Sequence, residues 1–229
     1  MAFKTCSCKS AKGTLWYEVQ IWGKQAHSTL PSQGINAFEK MCELVNTKLT
    51  PLKVRVESRK STLEGEYPDS SFSILNIGGH SCGEKSINTI PGAAVFSLDR
   101  RIIPEERISD AQDEIKELLE EYSIEAGVLM EVKQLLNADP SDVETQHPLC
   151  QTLFKCATTI RLREPKFAMC AGHMDTRFFN SYGIPMIAYG AGSLEVAHSP
   201  NEFVEIAHLE ELAKIYLLTC LEIAQSHRT

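Results

Sequence analysis

Apolar and polar positions alternate with period two through TLWYEVQIW, residues 14–22, where Tyr17, Val19 and Ile21 stand against Trp16, Glu18 and Gln20, and the run stops at Gly23. That is the pattern of a half-buried strand. From Ile35 the period lengthens: Ile35, Phe38, Met41, Cys42, Val45 and Leu49 recur at helical spacing, and Pro51 is expected to close the helix. SFSILNIGG (71–79) and AAVFSLDRRI (93–102) predict two further strands, separated by a connection rich in turn formers, HSCGEKSINTIPG. A second helix is expected over 109–122. It opens on a Ser109 to Gln112 capping-box spacing and carries Ile108, Ala111, Ile115, Leu118, Leu119 and Tyr122 on one stripe. GVLMEVKQLL (127–136) alternates again and predicts a fourth strand.

Strand, helix, strand, strand, helix, strand is the order of a split β-α-β, ferredoxin-like unit, assigned to 14–137. The polar stretch NADPSDVETQHP separates it from the C-terminal part of the chain. There, LCQTLFKCATTI predicts a helix through Leu149, Leu153, Ala157 and Ile160. KFAMCAG and IPMIAYG are short apolar runs that suit buried parallel strands. A long helix over 203–224 is expected to turn Leu209, Leu212, Ala213, Tyr216, Cys220 and Ile223 inward. The fold class is therefore α/β in the broad sense (α+β): a ferredoxin-like βαββαβ domain, then a partial doubly wound α/β segment over 138–229. Residues 1–13 are expected to be disordered or a residual linker.

Composition narrows the function classes. The 229 residues are 43% hydrophobic and 23% charged, close to ordinary soluble domains, and the net charge of −7 leaves no basic face to neutralise a phosphate backbone. Nucleic acid is excluded as the main partner, and an RNA-binding use of the ferredoxin-like topology fails for want of its aromatic pattern. The 8 cysteines are scattered, without the spacing of a zinc ribbon or the density of a disulfide scaffold, and read mainly as small core residues. Cys6 and Cys8 offer C-x-C spacing to a metal, against the plainer reading of two thiols in a frayed end. No apolar run is long enough for a signal peptide or a membrane span, so a cytoplasmic protein with no membrane partner is expected.

Four stretches carry candidate chemistry: WGKQAHSTLPSQGINAFEKM, NTIPGAAVFSLDRRIIPEE, GHMDTRFFNSYGIPMIAYGAG and AHSPNEFVEI. In the same order they resemble the dimerisation domain and C-terminal catalytic segment of the metallohydrolases that include aminoacylase, acetylornithine deacetylase, succinyl-diaminopimelate desuccinylase and carboxypeptidase G. The resemblance runs from about residue 13 to residue 224. It implies a metal-dependent amide hydrolase (a deacylase or peptidase) using zinc or cobalt, acting as a homodimer on a small carboxylate-bearing substrate.

Residue by residue, the resemblance implies that His27, in G-x-x-A-H-S, reaches the partner subunit's active site and stabilises the oxyanion of the tetrahedral intermediate. A single such donor is worth about 2.7–4 kcal/mol of barrier in a measured case. The plainer reading is an exposed loop histidine. Asn88 contacts substrate or intermediate by resemblance, and otherwise shapes a turn. Asp99 and Arg101 lie on the strand face opposite Phe96, Leu98 and Ile102; Arg101 belongs to the D-x-R motif by resemblance, or else to a surface ion pair. Arg177 is the candidate clamp for the substrate carboxylate, because a guanidinium fork fits that group bidentately, against a helix-surface arginine. His173 and Asp175 have H-x-D spacing, but the TRFF and YGIP that come after them place them on the later segment, and His173 receives no role. His198 matches the family's C-terminal metal ligand, with Glu202 nearby as a supporting residue.

A catalytic zinc takes about three protein ligands and an open position for water. By resemblance the other ligands and the general base lie ahead of the dimerisation domain, and only about thirteen residues precede the first strand here. The chain is therefore expected to be a truncated form, inactive alone. The competing class is a non-catalytic dimerisation or small-molecule-binding module.

Overall fold

The computed structural model describes residues 6–83, 86–192, 196 and 199–226. In chain order the elements are β1 (Cys6–Ala11), β2 (Gly13–Trp22), β3 (Ala26–His27), α1 (Ala37–Leu44), α2 (Thr50–Glu57), β4 (Ile74–Gly83), β5 (Thr89–Ile90), β6 (Ala93–Ile102), α3 (Ile108–Ala126), β7 (Leu129–Ala138), β8 (Ser141–Asp142), α4 (Pro148–Arg161), β9 (Lys166–Cys170), α5 (Thr176–Asn180), β10 (Ala188–Tyr189) and α6 (Ile206–Ser226). No helix among the described residues is long and apolar enough to cross a membrane.

The chain divides into two units. One comprises Lys12–Thr62 and Ser71–Pro140. Its antiparallel sheet has the order β4-β6-β2-β7, the arrangement of a split β-α-β fold. β2 is central, in register with β6 from Gly13↔Ile102 to Trp22↔Ala93. The period-two pattern buries Leu15, Tyr17, Val19 and Ile21 on one face of β2, and β6 adds Phe96, Leu98 and Ile102 beside them. The helices close that face with Leu44, Leu49, Leu52, Val56, Ala111, Ile115, Leu119 and Tyr122. Each large apolar side chain so buried stabilises the unit by about 1.5–3 kcal/mol before entropy is counted.

Three local expectations change. Pro51 does not close the first helix: a π-helical turn over Val45–Leu49 links α1 to α2, and Pro51 sits in the first turn of α2. The wide turn accommodates a residue that cannot donate a hydrogen bond and would clash with a regular preceding turn. The Val45 carbonyl accepts both the Thr50 amide and the Thr50 hydroxyl, the latter at 2.8 Å. The capping box is absent, because α3 begins at Ile108 with Arg107 as N-cap, and the Ser109 hydroxyl donates to Asp110 instead. β4 continues past Gly79 to Gly83, its register against β6 shifting between Ile77 and Ser81, where Gly78 takes φ +79°.

The other unit gathers the described parts of 1–11, 63–70 and 141–229. Residues 6–11, expected to be linker, form β1, the strand on which this sheet is built: β9 runs parallel to it, while β10 pairs antiparallel with Ser7 and Cys8 and β8 with Ser10 and Ala11. The polar look of the strand misled, because Lys9 is buried with its ammonium on Asp142 at 2.6 Å and on the Val143 carbonyl at 3.1 Å. Of IPMIAYG only Ala188–Tyr189 is strand, and it is antiparallel rather than parallel. α4 packs on α6 through Leu153, Cys156, Ala157 and Ile215. α6 buries Ile215 and Thr219, whereas Leu209, Ala213, Tyr216 and Cys220, expected inward, are exposed. The helix is apolar on more than one stripe, so its periodicity does not select the buried face.

Candidate functional site

β2 ends at Trp22, and the chain turns at Gly23, where a Cβ would stand 2.1 Å from the Ile35 carbonyl oxygen. Only glycine allows the approach that lets Lys24 and Ile35 exchange two backbone hydrogen bonds of 2.9 Å. The next residues form β3, which pairs antiparallel with β5 through Ala26↔Ile90 and His27↔Thr89. The Ser28 amide then donates to the Asn88 carbonyl at 3.0 Å. Two exposed candidates 61 positions apart are thus brought side by side by one short ladder.

The His27 ring is held from below. Its Nδ1 accepts the Thr29 backbone amide at 3.3 Å and lies 2.8 Å from the Thr29 hydroxyl. A backbone N–H can only donate, so Nδ1 is the acceptor and the proton of the neutral ring sits on Nε2. That leaves Nε2–H, on an exposed side chain, as a donor of the kind an oxyanion requires. The Asn88 Oδ1 accepts the Ser86 hydroxyl at 2.6 Å, and its amide nitrogen has no partner among the described residues.

Arg101 lies elsewhere in the same unit. In the β2–β6 register Arg101 pairs with Thr14, whereas Ala93, nearest to β5, pairs with Trp22. Eight residue steps separate the two ends, about 26 Å at the usual rise. Arg101 forms a two-pronged ion pair with Asp99, at 2.7 and 2.8 Å, and also donates to the Thr14 hydroxyl at 3.1 Å. Its guanidinium stands 5.8 Å from the Trp16 ring.

In the other unit, Arg177 lies in the short α5. It donates to the Met174 carbonyl at 3.1 Å, approaches Asp175 at 3.5 Å and stacks 4.1 Å above the Phe178 ring. Glu202 is exposed, and its backbone amide donates to the Ser199 carbonyl. His198 lies outside the described residues.

The model of the peptidase dimerisation domain matches residues 10–126, a span that takes in both His27 and Asn88. The chain belongs to the M20 peptidase family. Among sequence relatives, an uncharacterised metallohydrolase of Methanocaldococcus jannaschii is 26% identical over 90% of this chain and 51% of its own length. Acetylornithine deacetylase of Proteus mirabilis is 26% identical over 88% of this chain and 49% of its own. Among solved structures, the aminopeptidase PepT of Bacillus cereus superposes with a TM-score of 0.77 at 19% identity, covering 98% of this chain and 56% of that one. An M20 metallo-carboxypeptidase of Sulfolobus solfataricus gives 0.71 at 17% identity, covering 94% and 59%. The M20 chain described here thus spans about half the length of the curated relatives it matches.

Two clusters escaped sequence reasoning. Arg100, fully buried, reaches Glu106 at 2.5 Å. Glu106 also takes Arg59 at 2.8 Å and the Ser73 hydroxyl, and Arg59 pairs in turn with Glu114 at 2.7 Å. Burial works to raise the Glu106 carboxyl, but the Ser73, Arg59 and Arg100 contacts together hold it below the ordinary carboxylate value. Arg100 is the inward neighbour of Arg101, and only the strand alternation hints at it.

The second cluster is Cys8, Glu66 and Cys170, whose ligand atoms all lie within 4.8 Å of one another. It is the one group of three possible metal ligands found among the described residues, and it contains none of the residues implied by the M20 resemblance. The described residues therefore do not assemble the family's metal centre. The side-chain contact with Cys8 lowers the Cys170 thiol below its ordinary value, although burial and the Glu66 charge oppose this.

Proposed function

We propose that this chain supplies the dimerisation domain and part of the catalytic domain of an M20 amide hydrolase that acts, with a divalent metal, on N-acyl amino acids or small peptides. The juxtaposition of His27 and Asn88 carries this reading: two exposed residues set side by side by one short ladder, inside the matched domain, with the His27 Nδ1 occupied as an acceptor so that Nε2 carries the donor proton. Relatives named deacetylase and metallohydrolase support the reaction class.

In this scheme the chain forms a homodimer through 14–137. His27 of one subunit donates to the developing oxyanion in the other, and Asn88 holds the substrate or intermediate beside it. Arg177 clamps the substrate carboxylate, for which it must leave its weak 3.5 Å contact with Asp175. The metal, zinc or cobalt, polarises the scissile carbonyl and activates water when bound. Of its ligands this chain offers His198, and the other ligands and the general base implied by the resemblance are not among these 229 residues. Arg101, committed to Asp99 at the far end of β6, acts on the sheet rather than beside His27.

The 229-residue chain alone is accordingly inactive. The test is hydrolysis of a panel of N-acetyl amino acids and dipeptides by the purified chain with added zinc or cobalt, alongside its mass in solution. A dimer without turnover supports the proposal, and a monomer contradicts the trans role of His27. A metal-free dimer that binds small carboxylates without ever turning them over, even when combined with the N-terminal catalytic segment of an M20 relative, would favour a non-catalytic module.

A further inference from the structure

The β1–β9 ladder carries two sulfurs to one place. Cys8 pairs with Ala168, and Cys170, two residues further along β9, lies on the same face of the sheet as Ala168. The register slips at Lys9, so that Cys170 stands opposite Ala11 and remains a diagonal neighbour of Cys8. A third chain segment completes the group. Gly65 bridges to Met169, the Glu66 amide donates to the Met169 carbonyl at 3.2 Å, and Met169 donates back to Glu64 at 2.8 Å. These bonds fix the Glu66 carboxylate against the sulfurs: Cys8 Sγ donates to Oε1 at 3.1 Å, and the Ala171 amide reaches Oε2 at 3.4 Å.

No cation pairs with Glu66 among the described residues; its carboxylate meets the two thiols and a backbone amide. A half-buried carboxylate against two thiols, without a counter-charge, is an arrangement that folding alone does not favour. A divalent ion resolves it. Thiolates select soft or borderline metals, and two thiolates with one carboxylate leave a fourth tetrahedral position for water. At a zinc–sulfur distance of about 2.3 Å the ligand atoms stand about 3.5–3.8 Å apart, so the present spacing closes by at most about 1.3 Å.

We propose that Cys8, Cys170 and Glu66 bind a thiophilic divalent cation of the zinc class. This site uses none of His27, Asn88, Arg177 or His198, and its success or failure is independent of the hydrolase reading.

The test is to add cobalt(II) to the reduced, purified chain and record thiolate-to-cobalt charge-transfer absorption, with zinc then added to displace it. Expected are a charge-transfer band at one cobalt per chain, its loss in Cys8→Ser and Cys170→Ser, its retention in His198→Ala, and cobalt affinity reduced by about tenfold or more in Glu66→Gln. A wild-type readout guards against misfolded variants: zinc should slow alkylation of Cys8 and Cys170 but not of the exposed Cys82 and Cys220. Absence of the band in the wild-type chain, its survival in both cysteine variants, or alkylation of Cys8 and Cys170 indifferent to zinc would overturn the proposal.

Discussion

The Ser28 amide donates to the Asn88 carbonyl oxygen at 3.0 Å, and this bond extends the short β3–β5 ladder just far enough to set His27 beside Asn88. With Thr29 donating to Nδ1, the neutral His27 ring should carry its proton on Nε2. Nitrogen-15 shifts of the imidazole in the isolated chain, recorded where the ring is neutral, are expected to report that tautomer. A ring protonated on Nδ1 would remove the Nε2–H donor. In an assembly with a complete metal site, His27→Ala should lower kcat by about 10²–10³ and leave KM nearly unchanged, as expected of a donor felt only in the transition state.

Gly23 sets the same ladder from the other side. Gly23→Ala drives a methyl into the Ile35 carbonyl, and the backbone must move to relieve it. The expected cost is about 1–3 kcal/mol in chemical denaturation, together with faster amide exchange at Lys24 and Ile35. A variant as stable and as protected as the parent would show that the close approach is not required.

Glu106 holds two arginines, one of them fully buried. Glu106→Gln leaves Arg100 without its counter-charge and should cost about 3–5 kcal/mol near pH 7. The pH dependence has a definite sign. Because the folded carboxyl titrates below its ordinary value, its contribution is complete above the unfolded value and is lost as pH falls through the folded one. The stability gap between parent and variant should therefore narrow in acid, measured by denaturant midpoints across pH. A constant gap would assign the loss to packing.

The ferredoxin-like unit was readable because its strands are buried on one face only, so Leu98 and Ile102 declare the core and Asp99 and Arg101 the opposite face. His27 and Asn88 were each visible as loop residues, but the ladder that joins them is two residues long and leaves no periodic mark. α6 hid its inward face because the exposed Leu209 is as apolar as Ile215, and the other residue it buries is the polar Thr219. Cys8, Glu66 and Cys170 come from three segments joined only by strand pairing, and a pattern read along the chain does not bring such residues together.

The proposed roles of His27 as donor and Arg177 as clamp require a metal centre, of which the proposal assigns only His198 to these 229 residues. The most direct measurement is hydrolysis of N-acetyl amino acids and dipeptides by the purified chain at saturating zinc or cobalt. No turnover above buffer is predicted. Turnover that rises in proportion to the chain and disappears in His198→Ala would contradict the account.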